Sequence, residues 1–165
     1  METVKTLTKM PVGAMVALDA ALVAVACLIP AASHLLALPL YMLNPMLALL
    51  LAAMLLGRDW RNSLALAVLL PLASCLLTGM PALPKMLCMM AELATVAGLF
   101  SMLQRRWSAL PAVLVSVLVS KAVYYALKAV VLAPTVLVGT AWWVQLGAVL
   151  LWTGAFAVLY NKKTR

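Results

Sequence analysis

Between positions 12 and 160 the chain is a succession of six apolar runs, separated only by short clusters of proline, glycine and charge. A helix needs about 20 apolar residues to cross the hydrocarbon core, so six crossings consume roughly 120 residues of the 165 present. With 67% hydrophobic and 10% charged residues and a mean hydropathy of +1.14, no water-soluble domain fits in the remainder. A nucleotide-binding cassette, a soluble catalytic domain and a periplasmic receptor domain are excluded. Energy or chemistry beyond a helical bundle must come from a partner.

The punctuation predicts an all-α integral membrane bundle, a single domain over 1–165, with transmembrane helices at 12–29, 39–56, 62–78, 83–103, 110–133 and 140–160. The segment 30–38 is a greasy, proline-bounded connection containing Ser33 and His34, and Pro71 should bend the third helix. Lys5, Lys9, Arg58, Arg61, Arg105, Arg106, Lys162, Lys163 and Arg165, nine of the twelve bases, fall on one side when the spans alternate. Lys85 alone falls on the other. The positive-inside rule then puts both termini in the cytoplasm. This distribution accounts for the net charge of +8 without invoking nucleic acid. Trp60, Trp107, Trp142 and Trp143 suit interfacial belts. The N-terminus lacks the form of a cleavable signal, and Cys27, Cys75 and Cys88 read as small packing residues without metal spacing.

Ionisable groups within the bilayer each need a partner, a water-filled cavity or a function. Four fall inside spans: Asp19, Glu92, Lys121 and Lys128. Seven helical residues turn through about 700°, so Lys121 and Lys128 share a face about 10 Å apart, with Tyr124 and Tyr125 beside them. Glu92 lies at a depth bracketed by both lysines. It pairs with one of them, and the choice is open. Asp19 has no evident partner in the sequence. Gly13, Ala17 and Ala21, offset by Ala20 and Ala24, form a ladder of small residues that permits close helix approach, within the bundle or to another protein. The methionines of Lys85-Met-Leu-Cys-Met-Met90 read as packing rather than metal ligands. No cofactor is implied. One histidine and the lack of paired carboxylates or a phosphate loop argue against an enzyme.

Four motifs carry a resemblance. Leu69-Leu-Pro-Leu-Ala-Ser-Cys-Leu-Leu-Thr-Gly-Met-Pro-Ala-Leu-Pro84, then Met89-Met-Ala-Glu-Leu93 and Ala97-Gly-Leu99, together with the basic-then-aromatic order in Ser116 to Leu127, resemble the S component, the substrate-binding membrane subunit, of energy-coupling factor (ECF) transporters. The likeness covers about Met42 to Leu127, and the six-helix layout more loosely. It implies a multi-pass protein of the bacterial cytoplasmic membrane that binds a vitamin or related micronutrient near the outer face, under a lid formed by the first loop. It also implies docking through small residues of the first helix, here Ala17 and Ala21 or Ala20 and Ala24, onto a transmembrane coupling subunit carrying two cytoplasmic ATPases. Glu92 matches the family's fourth-helix glutamate and Lys121 its fifth-helix base, where arginine is commoner. A second base at Lys128 departs from the pattern. The lysine pair points to an anionic ligand, Tyr124, Tyr125, Trp142 or Trp143 would stack on a ring, and Asn44, Gln145 and His34 would add hydrogen bonds. A structural or assembly subunit, with Glu92 and the lysines as internal glue, is the competing expectation.

Overall fold

The computed structural model describes residues 11–37, 40–56, 60–131 and 142–164. All regular structure among them is helical: α1 (Val12–Leu35), a 3-10 turn (Leu40–Leu43), α2 (Pro45–Leu55), α3 (Trp60–Thr78), α4 (Leu83–Leu103), α5 (Ala109–Val131) and α6 (Trp142–Thr164). Five of these helices are long and apolar enough to cross a membrane. Large apolar side chains such as Leu76, Leu83, Val130 and Leu150 face outward, as befits a multi-pass protein bathed in lipid.

Two elements differ from the sequence expectation. The connection at 30–38 is in its first part helix, because α1 runs on through Pro30 to Leu35. A proline removes one backbone bond from a helix interior, a loss that neighbouring groups can compensate in an apolar bundle. The second span is interrupted: Asn44 adopts a left-handed conformation (φ 49°, ψ 59°), and α2 begins only at Pro45. Asparagine tolerates that conformation better than most residues, and proline at the first helical position is pre-organised for the turn that follows. The resulting helix has 11 residues, about 16 Å at 1.5 Å per residue, roughly half of a hydrocarbon core. It nevertheless forms the centre of the bundle. Met46, Leu47, Leu50, Leu51, Ala53 and Met54 are buried against α1, α3, α4 and α6.

Successive helices alternate in direction. α4 packs most intimately on α5 and on α3, and both α4 and α5 carry small buried residues, Ala97 on one and Ala112, Ser116 and Ser120 on the other, of the kind that let backbones approach. The two serines return their hydroxyls to their own helix, Ser116 to the Ala112 carbonyl at 2.7 Å and Ser120 to that of Val117 at 2.8 Å. No polar group is thereby stranded at the contact. The turn from α3 to α4 is built by Gly79 at φ 71° and a cis Met80–Pro81 peptide, and Ser74 Oγ donates to the Met80 carbonyl at 2.7 Å.

Alternation gathers the ends of α1, α3 and α5 and the starts of α2, α4 and α6 at one end of the bundle. At the opposite end stand Trp60, Arg61, Arg105, Arg106, Trp107 and Lys162, with the Arg61 guanidinium 5.7 Å from the Trp60 ring centre. Lys5, Lys9, Arg58 and Arg165, which complete the expected basic set, lie outside the described residues, as do the side chains of Trp142 and Lys163.

Candidate functional site

At the end away from the arginines the helices part around a cavity of about 700 Å³. α1 contributes Ala26, Ile29, Pro30, Ser33 and His34, and the start of α4 contributes Lys85, Met89 and Glu92. These last three recur at intervals of four and three and so share one helix face. Glu92, Ser74, Met46 and Tyr124 are buried in its walls, whereas His34, Gly79, Met80 and Lys85 form an exposed rim.

The polar centre is Glu92, whose side chain is 3% exposed. Lys121 of α5 reaches it with Nζ 2.7 Å from Oε1, and Asn44 Nδ2 donates to the same oxygen at 3.1 Å. Asn44 precedes α2 yet makes no side-chain cap to it. Its left-handed backbone aims the amide across the bundle instead. The ammonium also lies 5.6 Å from the centre of the Tyr124 ring, a cation–π contact that helps to hold an amphipathic side chain in an apolar setting. Both polar contacts converge on Oε1, and among the described residues none is made to Oε2. A second vacant valence lies on α1: the buried Ser33 Oγ has no hydrogen-bond partner among the described residues. Buried hydroxyls are normally satisfied, and this one is sealed from solvent although its residue lines the cavity.

The sequence candidates divide. Asn44, Glu92, Lys121, Tyr124, Gln145 and His34 all line the cavity. Lys128, Tyr125 and Trp143 do not. Tyr125 is turned instead to α6, where its hydroxyl donates to Gln145 Oε1, and its ring meets Tyr124 edge-on at 5.5 Å. That leaves Gln145 its amide N–H groups to offer. Trp143 is 63% exposed, two residues and so about 200° around the helix from Gln145. Lys128 is half-buried without lining the space, so the paired base is Lys121 alone.

Three contributors were not among the sequence candidates. Ser33 carries no signature beyond its place in an apolar stretch. The methionines Met42, Met46, Met80 and Met89 form a flexible thioether wall. Lys85, counted at first only as the base of an outer turn, is the remaining cation of the lining, and its i, i+4, i+7 register with Met89 and Glu92 is the sequence signal that marks it.

The small-residue ladder is clear of this site. Gly13, Ala17, Ala20, Ala21 and Ala24 are all exposed, while Leu18, Leu22 and Ala26 on the opposite face of α1 pack into the core. Asp19, between the two faces, is partly buried and makes a polar or electrostatic contact. Compared with family models, curated proteins and solved structures, the chain matches none. The geometry therefore carries the functional reading.

Proposed function

We propose that the chain is the substrate-binding membrane subunit of an ECF-type ATP-driven importer, resident in a bacterial cytoplasmic membrane. In this reading it captures a small micronutrient at the outer face and performs no catalysis itself. The observation that carries the proposal is the cavity of about 700 Å³, which is within the size range of small-molecule sites and has a buried, already paired carboxylate and an unsatisfied hydroxyl in its wall. The distribution of bases supports its orientation: the cavity end holds Lys85, Lys128 and His34, the other end Arg61, Arg105, Arg106 and Lys162. On the positive-inside rule the cavity opens to the exterior.

The exposed ladder of α1 supports the partner assignment. Ala17, Ala20, Ala21 and Ala24 point away from their own core, which leaves them free to seat a helix of the coupling subunit, whose two ATPases supply the energy. The competing reading, an assembly subunit with an internal ion pair, is favoured by the closeness of Glu92 and Lys121, 2.7 Å apart.

Met89→Trp separates the two. The larger side chain invades the cavity and leaves the ion pair in place. Protein purified from membranes of cells that express it natively is expected to carry a small molecule detectable by mass spectrometry, and the variant to lose it while melting with the ligand-stripped parent. If neither protein carries a ligand and the variant supports growth and uptake like the parent, the assembly reading stands.

A further inference from the structure

The charge balance of the cavity differs from what a pair of buried lysines would give. Glu92 and Lys121 neutralise each other, and Lys128 is not part of the lining. Among the described lining residues one full charge is left over, the ammonium of Lys85, which has no ion pair or hydrogen bond within the described protein. Its setting reinforces the sign. Lys85 sits in the first turn of α4, whose preceding residue, Ala82, provides no side-chain cap and whose first turn holds no acid. Pro81 and Ala82 of that helix start also border the cavity. The first intrahelical bond is the one from Met86 N–H to the Ala82 carbonyl at 2.9 Å. The amides of Leu83 and Lys85 therefore precede the helical ladder, and the positive end of the helix dipole adds to the lysine.

Lys85 and Glu92 are seven residues apart on one helix, about 10 Å along its axis. Met89 lies between them on the same helix face, and Met42, Met46 and Ile29 also belong to the cavity lining. The cavity thus has two polar poles with an apolar, thioether-rich waist. At the inner pole Glu92 Oε2 is available to a donor. At the outer pole a single cation is uncompensated, which suits one negative charge better than two.

We propose that the cavity takes an elongated monocarboxylate with an apolar or ring-shaped middle and a hydrogen-bond donor at its far end. Its carboxylate lies on Lys85 and the first turn of α4, and its donor lies at Glu92. Lys85 is thereby the residue that selects for charge, whereas Lys121 positions Glu92. The proposal rests on the small-molecule reading of the site given above.

The test uses matched acid and neutral probes on the full chain in detergent: nicotinate with nicotinamide, pantothenate with panthenol, and biotin with its primary amide. Binding is measured by calorimetry and ligand-induced shift in melting temperature. In at least one pair the acid is expected to bind about fivefold more tightly than its neutral counterpart, the upper range for a charge pair at a partly hydrated mouth. Lys85→Gln should bring that ratio to about one, and Lys85→Arg should preserve it. Lys85 is exposed, so ligand-free Lys85→Gln should melt with the parent, which removes misfolding as an explanation. A neutral probe that binds as well as its acid, or an acid preference that survives Lys85→Gln, overturns this assignment and leaves the uptake reading intact. Absence of binding by every probe overturns the assignment; if natively purified protein also carries no ligand, the uptake reading falls with it.

Discussion

Replacing Lys121 by methionine tests the centre of the site, because methionine keeps much of the length of the side chain and removes only its charge. Glu92, 3% exposed, is then left with the Asn44 amide at 3.1 Å as its one partner among the described residues. Removing one member of a buried ion pair costs about 3–5 kcal/mol, since the other charge stays desolvated. Two features place this case at the lower end. The Asn44 bond, worth about 1.5–3 kcal/mol to a charged acceptor, persists. Glu92 also borders a cavity, and water there can replace some of the lost solvation. A loss of about 3 kcal/mol corresponds to a fall in melting temperature of roughly 6–12 °C for a chain of this size.

Glu92→Gln should cost less, about 1–2 kcal/mol, because the Lys121 side chain is 16% exposed and its ammonium can be hydrated from the cavity. The double variant, Glu92→Gln with Lys121→Met, should be more stable than Lys121→Met alone, since no buried charge is left unpaired. A thermal double-mutant cycle in one detergent reads this coupling directly, with an expected interaction larger than about 1–2 kcal/mol. A Lys121→Met protein as stable as the parent, with strictly additive losses in the cycle, would refute the claim that the two groups hold each other inside the bundle.

Two further outcomes follow from the backbone and from α1. Gly79→Ala should destabilise by about 1–2 kcal/mol although space around it is open, because the strain lies in its positive φ of 71° and not in a clash; a melting temperature equal to the parent's would contradict this. Ala20→Leu with Ala24→Leu should leave the melting temperature of the isolated chain within about 0.5 kcal/mol equivalent, as expected of exposed positions, while abolishing uptake in cells. Destabilisation of the isolated chain would show that the ladder packs internally.

How far the sequence discloses this molecule depends on what hydropathy can register. α4 runs from Leu83 to Leu103 as its pattern indicates, because Pro81 and Pro84 bracket its start and Gln104, Arg105 and Arg106 close it. The break at Asn44–Pro45 lies inside an apolar run, where mean hydropathy stays level and only the dihedral preference of asparagine before proline signals a change of direction. Helical phase explains the divided site residues. Tyr124 and Tyr125 differ by about 100° and Trp143 and Gln145 by about 200° around their axes, so one cavity cannot readily receive both members of either pair. Depth matches Glu92 to the two lysines, but the choice of Lys121 depends on how α4 sits against α5, which hydropathy does not register. Ser33 lay beyond reach altogether, since an unsatisfied hydroxyl is a property of packing and not of composition.

The ion pair and the cavity are best understood together. An apolar bundle that needed only rigidity would do as well with methionine and leucine at positions 92 and 121, because well-packed apolar replacements of a buried pair are often neutral or stabilising. Here the pair is placed where packing is incomplete, beside about 700 Å³ of space and on the same cavity lining as an orphan hydroxyl. Lys121 and Asn44 both engage Oε1, which fixes the carboxylate and leaves Oε2 for another donor. A carboxylate immobilised in this way has already met the entropic cost of ordering before a ligand arrives, and such pre-organisation raises affinity more effectively than added contact area. The same arrangement explains why the second charge of the cavity, Lys85, sits about 10 Å away at the rim. Placed beside Glu92 it would compete with Lys121 for the carboxylate. At the mouth it remains free to attract an anion from outside.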